Sequence, residues 1–104
     1  RKIEEAVLWS DPGEEKGEHF NPRGAGFLFG PDVTENVFSG VGVSRLFRSH
    51  QPRKAAEGPA IEHGGRIITL NSTDVYGGRP FVEILDIEKL PASEEELKNA
   101  AVFL

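Results

Sequence analysis

In the stretch NPRGAGFLFGPD, residues 21–32, Arg23 sits on a backbone built to bend, with Gly24 and Gly26 behind it and Phe27, Leu28 and Phe29 heading toward a core. Glycine permits backbone angles and close approaches that a Cβ blocks. A guanidinium carried on such a hinge is either one half of a structural ion pair, with the acids of the 13–18 loop as partners, or a clamp for an anion. The neutral-nitrogen ligands are His19, His50 and His63, and there is no cysteine. Disulfides and thiolate metal sites are therefore excluded. Asp11, before Pro12, is either a turn former or a pocket acid, and the residues alone leave both open. Tyr76 lies in the polar, glycine-bearing loop NSTDVYGGR.

Elements must position these groups. Residues 6–9, AVLW, read as a short buried strand, and 13–22, GEEKGEHFNP, as a surface loop. Gly30-Pro31-Asp32 marks a helix start, with Val33 and Val37 at i,i+4, Phe38 beside them and Gly40 as the stop. VSRLFRSH (43–50), RIITL (66–70) and PFVEILDI (80–87) read as strands. Near the end, Ser93 and Glu96 form a capping box, followed by Leu97, Ala100 and Ala101 on one helical face. The pattern is that of an α/β or α+β domain with about four strands.

Composition bounds the rest. The chain has 104 residues and a formal net charge of −5. That is one small domain at most. The acidic balance argues against a nucleic-acid partner, because phosphate-backbone binding needs a basic face. No run of 18 apolar residues and no leader pattern is present, so no membrane partner is expected, and a cytoplasmic location is.

LWSDP, NPRGAGFLFGPDV, RSHQ and NSTDVYGG then stand in one order along the chain. Together they resemble the C-terminal half of the catalytic domain of phosphoprotein (PPP-type) serine/threonine phosphatases, calcineurin-like metallophosphoesterases, with a flavour of archaeal or bacterial members. Members typically show Leu-Trp-Ser-Asp-Pro, Arg-Gly-x-x-Phe-x-Phe-Gly, Arg-x-His and Ser-Ala-Pro-Asn-Tyr-Cys-Gly. The resemblance covers about residues 6–87. It implies the C-terminal part of a metallophosphatase β-sandwich flanked by helices over residues 1–90, with 91–104 as a C-terminal helical tail.

The resemblance also implies roles. Arg23 would grip the substrate phosphate, and Asp11 would line the pocket and orient other groups. Tyr76 would overhang the substrate groove, and His50 would be a ligand of the second metal of a binuclear site. The two divalent ions would be manganese first, with iron or zinc as alternatives, and a metal-activated water would attack phosphorus in line. His63-Gly64-Gly65 is set apart. The family's metal-binding His-Gly-Gly precedes Trp-Ser-Asp-Pro, whereas this triplet follows Arg-x-His, so it reads as a hairpin turn with His63 facing solvent, as His19 does. Arg48 is left as structural. The tyrosine loop carries Gly77 where many eukaryotic members have cysteine.

The motifs Gly-Asp-x-His, Gly-Asp-x-x-Asp-Arg-Gly and Gly-Asn-His-Glu are absent from the chain, and it opens Arg1-Lys2. Most metal ligands are therefore expected from an N-terminal half outside this chain. The implied function is hydrolysis of phosphoserine and phosphothreonine in a phosphoprotein substrate. A dinucleoside-polyphosphate hydrolase of the same superfamily, or a non-catalytic interaction module that kept the half-fold, stays open as an alternative.

Overall fold

The computed structural model describes residues 2–104; Arg1, where the expected segment 1–90 opens, lies outside the described residues. The chain divides into two compact units, the first ending at Ser44 and the second running Arg45–Leu104.

The first unit opens with α1 (Lys2–Trp9), not with the buried strand expected at 6–9. A four-residue apolar run carries no period of its own. Taken with Ile3, it places Ile3 and Val7 at helical spacing, and Glu4 and Glu5 in the first turn suit the helix dipole. Nor is the run buried, since Val7 is 76% and Leu8 61% exposed.

Strand β1 (Asp11–Pro12) pairs in parallel with β3 (Phe27–Phe29), with Asp11 opposite Leu28. Strand β2 (Glu18–Phe20), antiparallel to β3, occupies part of the expected 13–22 loop. Its three residues are all exposed, so a polar pattern concealed a hydrogen-bonded edge. The remaining loop is clipped down at Gly17. Its N–H donates to both oxygens of Asp32 at 2.9 and 3.2 Å, and its carbonyl accepts from Gly30 N–H at 2.9 Å. The backbone donor at Gly17 holds the Asp32 carboxyl below its ordinary pKa.

Helix α2 (Pro31–Val41) starts where expected, with Gly30 as N-cap and Pro31 in the first turn. It runs past Gly40 and ends at Gly42, whose φ of 73° allows its N–H to reach the Phe38 carbonyl. The buried face is Thr34 and Phe38 rather than Val33 and Val37. Val37 is 54% exposed. Both pairs have i,i+4 spacing, so spacing alone does not choose between them.

The second unit is built on β6 (Ile67–Thr69), buried at all three positions. β4 (Leu46–Arg48) pairs with it in parallel and β5 (Ala60–Glu62) antiparallel. The β5–β6 connection is the expected hairpin turn, a single 3₁₀ turn at His63–Gly65. β7 (Phe81–Glu83) pairs with β8 (Ala101–Phe103). β4, β6 and β7 are shorter than the β-prone runs that contain them, and β8 was not expected. Helix α3 (Glu94–Asn99) is capped by Ser93 Oγ, which accepts from Glu96 N–H at 3.1 Å, while Glu96 reaches back to Ala92 N–H. Leu97 is fully buried. The helix stops before Ala100 and Ala101, so the expected helical face is cut short and the chain turns back as β8 against β7.

The core of this unit is Ala55, Ile67, Ile68, Phe81 and Leu97. Among the described residues the first unit buries mainly polar groups, Asp11, Asn21 and Thr34, with Phe38. The α+β character expected from the sequence is present. It is spread over eight short strands in three sheets among the described residues rather than about four strands.

Candidate functional site

Asp11 is completely buried at the start of β1, directly after the α1 turn. A buried carboxylate needs donors to offset its lost hydration, and three are supplied from the Asn21-Arg23 turn. Asn21 Nδ2 donates to Oδ2 at 2.9 Å, Arg23 Nε to Oδ2 at 2.7 Å, and Arg23 Nη2 to Oδ1 at 2.8 Å. The last two make a bidentate fork, the arrangement in which arginine binds a carboxylate most firmly. Arg23 thus pairs with Asp11, an acid outside the 13–18 loop that its sequence neighbourhood offered. Its side chain remains 30% exposed. The guanidinium carbon also lies 5.3 Å from the Trp9 ring centroid, a cation–π contact from the end of α1.

The turn is shaped for this. Asn21 Oδ1 accepts from Arg23 N–H at 3.0 Å, an Asx turn, and Gly24 N–H donates to the Asn21 carbonyl at 3.0 Å with φ of 93°. Gly26 answers why glycine follows the arginine. Its φ is 67°, and a Cβ there would lie 2.4 Å from the Trp9 carbonyl carbon. Only glycine lets the chain pass so close to the Trp9-Ser10 backbone. Asn21 also donates to the Trp9 carbonyl at 2.8 Å. Asn21 and Trp9 were not singled out in the sequence. The signal was there, since Asn followed by Pro is a turn-initiating pair.

In the second unit, His50 follows β4 and is exposed, with φ of 84°. Left-handed backbone at a non-glycine residue is uncommon and costs about 1 kcal/mol or more. His63 is also left-handed, φ 52°, but it stands in a hairpin turn that demands such angles. His63 is half-buried rather than solvent-facing, and His19 is exposed. Arg48 donates through Nη1 to Gln51 Oε1 at 2.7 Å and Thr69 Oγ1 at 2.9 Å, tying β4 to β6. Tyr76 is 61% exposed in a turn closed by Gly77 N–H to the Asp74 carbonyl at 3.0 Å, with Gly77 at φ 89°.

Among the described residues no three His, Asp or Glu side chains converge as a metal cage. An imidazole such as that of His50 is chemically able to be one metal ligand, and the described residues gather no cage around it. Among the described residues no helix is long and apolar enough to cross a membrane.

A serine/threonine-protein phosphatase T of Aspergillus oryzae is 43% identical over 70 residues, 67% of this chain. A human serine/threonine-protein phosphatase 5 is 39% identical over the same length, and a mouse serine/threonine-protein phosphatase with EF-hands is 42% identical over 71 residues. The chain is a homologue of the serine/threonine-protein phosphatases. It spans 14%, 14% and 11% of those three relatives. A solved Saccharomyces cerevisiae protein serine/threonine phosphatase, described as similar to human phosphatase PP5, superposes with a TM-score of 0.64 at 26% identity. That superposition covers 94% of this chain and 31% of the yeast chain, so the fold is shared with a phosphatase well beyond the motif segments. No protein-family profile matches the chain.

Proposed function

We propose that the chain is the C-terminal segment of the catalytic domain of a metal-dependent phosphomonoester hydrolase that removes phosphate from phosphoserine and phosphothreonine in a phosphoprotein. Residues 1–90 would belong to that domain, and 91–104, expected as a helical tail, would close it, since Leu97 packs in its core and β8 pairs with β7. The observation that carries this reading is the Arg23 guanidinium, part-exposed on a glycine turn and backed by the buried Asp11 carboxylate.

A guanidinium has five N–H donors in a rigid fork. Asp11 engages Nε and Nη2 and so fixes the plane of the fork, which leaves Arg23 a pre-oriented cation rather than a mobile one. Such a group holds phosphate oxygens and offsets the charge that builds on them during transfer. Asp11 is then a positioning residue, and it keeps its own burial tolerable through the same contact. His50, exposed after β4 on left-handed backbone, would offer one imidazole nitrogen to the second metal. Tyr76, on its exposed turn, would border the substrate. Two divalent ions, manganese first and iron or zinc as alternatives, would supply Lewis acidity and a more acidic water when bound. The other ligands would come from the N-terminal half of the domain. A cytoplasmic location accords with this role.

The test is Arg23→Ala in the assembled catalytic domain. Turnover of a small aryl phosphate should fall by about 10²-fold or more, as for loss of one charge-stabilising donor. Metal content should stay unchanged, because Arg23 is not a ligand. Near-normal turnover would remove Arg23 from the site.

A further inference from the structure

The second unit holds a cleft of about 370 Å³ that belongs to none of the groups above. Its rim carries Arg53, Lys54 and Lys98 against a single acid, Glu57, and its apolar part is Phe103 with Pro59. In a chain of net charge −5, three cations among the lining residues of one cleft run against the overall balance, although Glu62 and Glu94 stand beside two of them. Lys54 is already engaged, at 3.0 and 3.2 Å from the two oxygens of Glu62. Lys98 meets Glu94 only at 3.9 Å and is 62% exposed. Arg53, also exposed, and Lys98 are thus the cations available to a ligand.

The cleft is firm rather than a chance gap. The Phe103 ring is held between the Phe81 ring, 5.7 Å centroid to centroid, and the Arg79 guanidinium, 4.1 Å from its centroid. The 53–58 wall is clipped to the following loop by Arg79 N–H to the Ala56 carbonyl at 2.8 Å. At Gly78 the two backbones pass so closely that a Cβ would lie 2.9 Å from Ala56 Cα. Gly58, at φ 138°, keeps the space over Phe103 open, since a Cβ there would sit 3.6 Å from the ring tip.

We infer that this cleft docks an acidic peptide segment of a protein partner, one carrying an apolar side chain beside its carboxylates. Exposed ion pairs alone are weak. The apolar residue supplies burial against Phe103 and Pro59, while Arg53 and Lys98 select carboxylates and reject basic segments. An acidic peptide suits the cleft better than a nucleic acid, because two available cations beside a part-exposed apolar floor make no track for a phosphate backbone. This inference does not rest on the phosphatase reading.

The experiment uses the assembled protein and a fluorescein-labelled Glu-Asp-Phe-Glu-Asp peptide followed by anisotropy. Saturable binding is expected, at least about tenfold tighter than for the neutral Gln-Asn-Phe-Gln-Asn peptide. Arg53→Gln with Lys98→Gln should weaken it about tenfold while aryl-phosphate turnover and melting temperature hold. Arg53→Lys with Lys98→Arg should restore it. Arg23→Ala should leave peptide binding unchanged, which separates this cleft from the phosphate clamp. Equal binding of the neutral peptide, unaltered binding by the Gln variant, or tighter binding of a single-stranded oligonucleotide at the same residues would each overturn the proposal.

Discussion

At the scale of single residues, Asp11 and Arg23 act as a unit, and their effects should be non-additive. Asp11→Asn keeps the shape but removes the charge, and it turns an amide N–H₂ toward either Arg23 or Asn21, both of which are donors here. Stability should fall by about 2 kcal/mol, below the 3–5 kcal/mol typical of a fully buried broken pair, because Arg23 is partly in water. Turnover of the assembled domain should fall too, chiefly in kcat. In an Arg23→Ala background the same substitution should cost no further activity, and a double-mutant cycle measures this. Additive losses would mean that Asp11 acts independently of the arginine. The histidines separate in the same manner. His50→Ala should lower metal occupancy of the assembled domain by elemental analysis, and His63→Ala should leave occupancy and activity near normal. A metal-poor His63 variant would mean that the chain order of the motifs misled.

At the scale of elements, legibility followed the locality of the signal. The α2 start, the capping box at Ser93 and Glu96 and the hairpin turn at 63–65 are set by residues adjacent in sequence, and each stands where the sequence put it. α1 and β8 were not read correctly, because Ala6–Trp9 and Ala101–Phe103 are short apolar runs compatible with helix or strand. A partner far along the chain decided the second, as β7 does for β8, whereas the first was decided by the residues before the run, Ile3, Glu4 and Glu5. The Asp11–Arg23 pair is hidden for a like reason, since twelve residues separate them and the acids of the 13–18 loop are nearer in sequence. β7 also carries a local conflict. Both carboxyl oxygens of Glu83 are buried without a hydrogen-bond partner, and desolvation raises its pKa. A folded-state pKa above the unfolded value means that the folded form binds the proton better. That contribution is fully present below the unfolded pKa and is lost as pH rises through the folded one. Glu83→Gln should therefore stabilise the assembled domain at pH 7 and flatten this part of its stability profile. Urea unfolding of both proteins between pH 4 and pH 8 checks this, and parallel profiles would show that Glu83 finds a cation in the assembly.

At the scale of the molecule, apolar surface is left uncovered in both units. Ile3, Val7 and Leu8 on α1, Val37 and Val41 on α2, and Ile84, Ile87 and Leu90 after β7 are all more than half exposed. Scattered exposed apolar residues are ordinary, whereas whole faces of this kind mark surfaces that another segment covers. The three sheets are also short, with strands of two or three residues among the described residues. The same incompleteness holds for the chemistry. One imidazole does not hold two divalent ions at micromolar metal, because affinity grows with the number and geometry of ligands. The isolated 104-residue chain should accordingly show no phosphatase turnover with added manganese, and light scattering should find it associated or poorly compact. Mixing or co-expressing it with an N-terminal phosphatase half that carries the Gly-Asp and Gly-Asn-His-Glu motifs should restore metal binding and aryl-phosphate turnover together. A monodisperse, cooperatively unfolding monomer that hydrolyses phosphate esters on its own would contradict this, and it would require a ligand set assembled by the chain itself or by its copies.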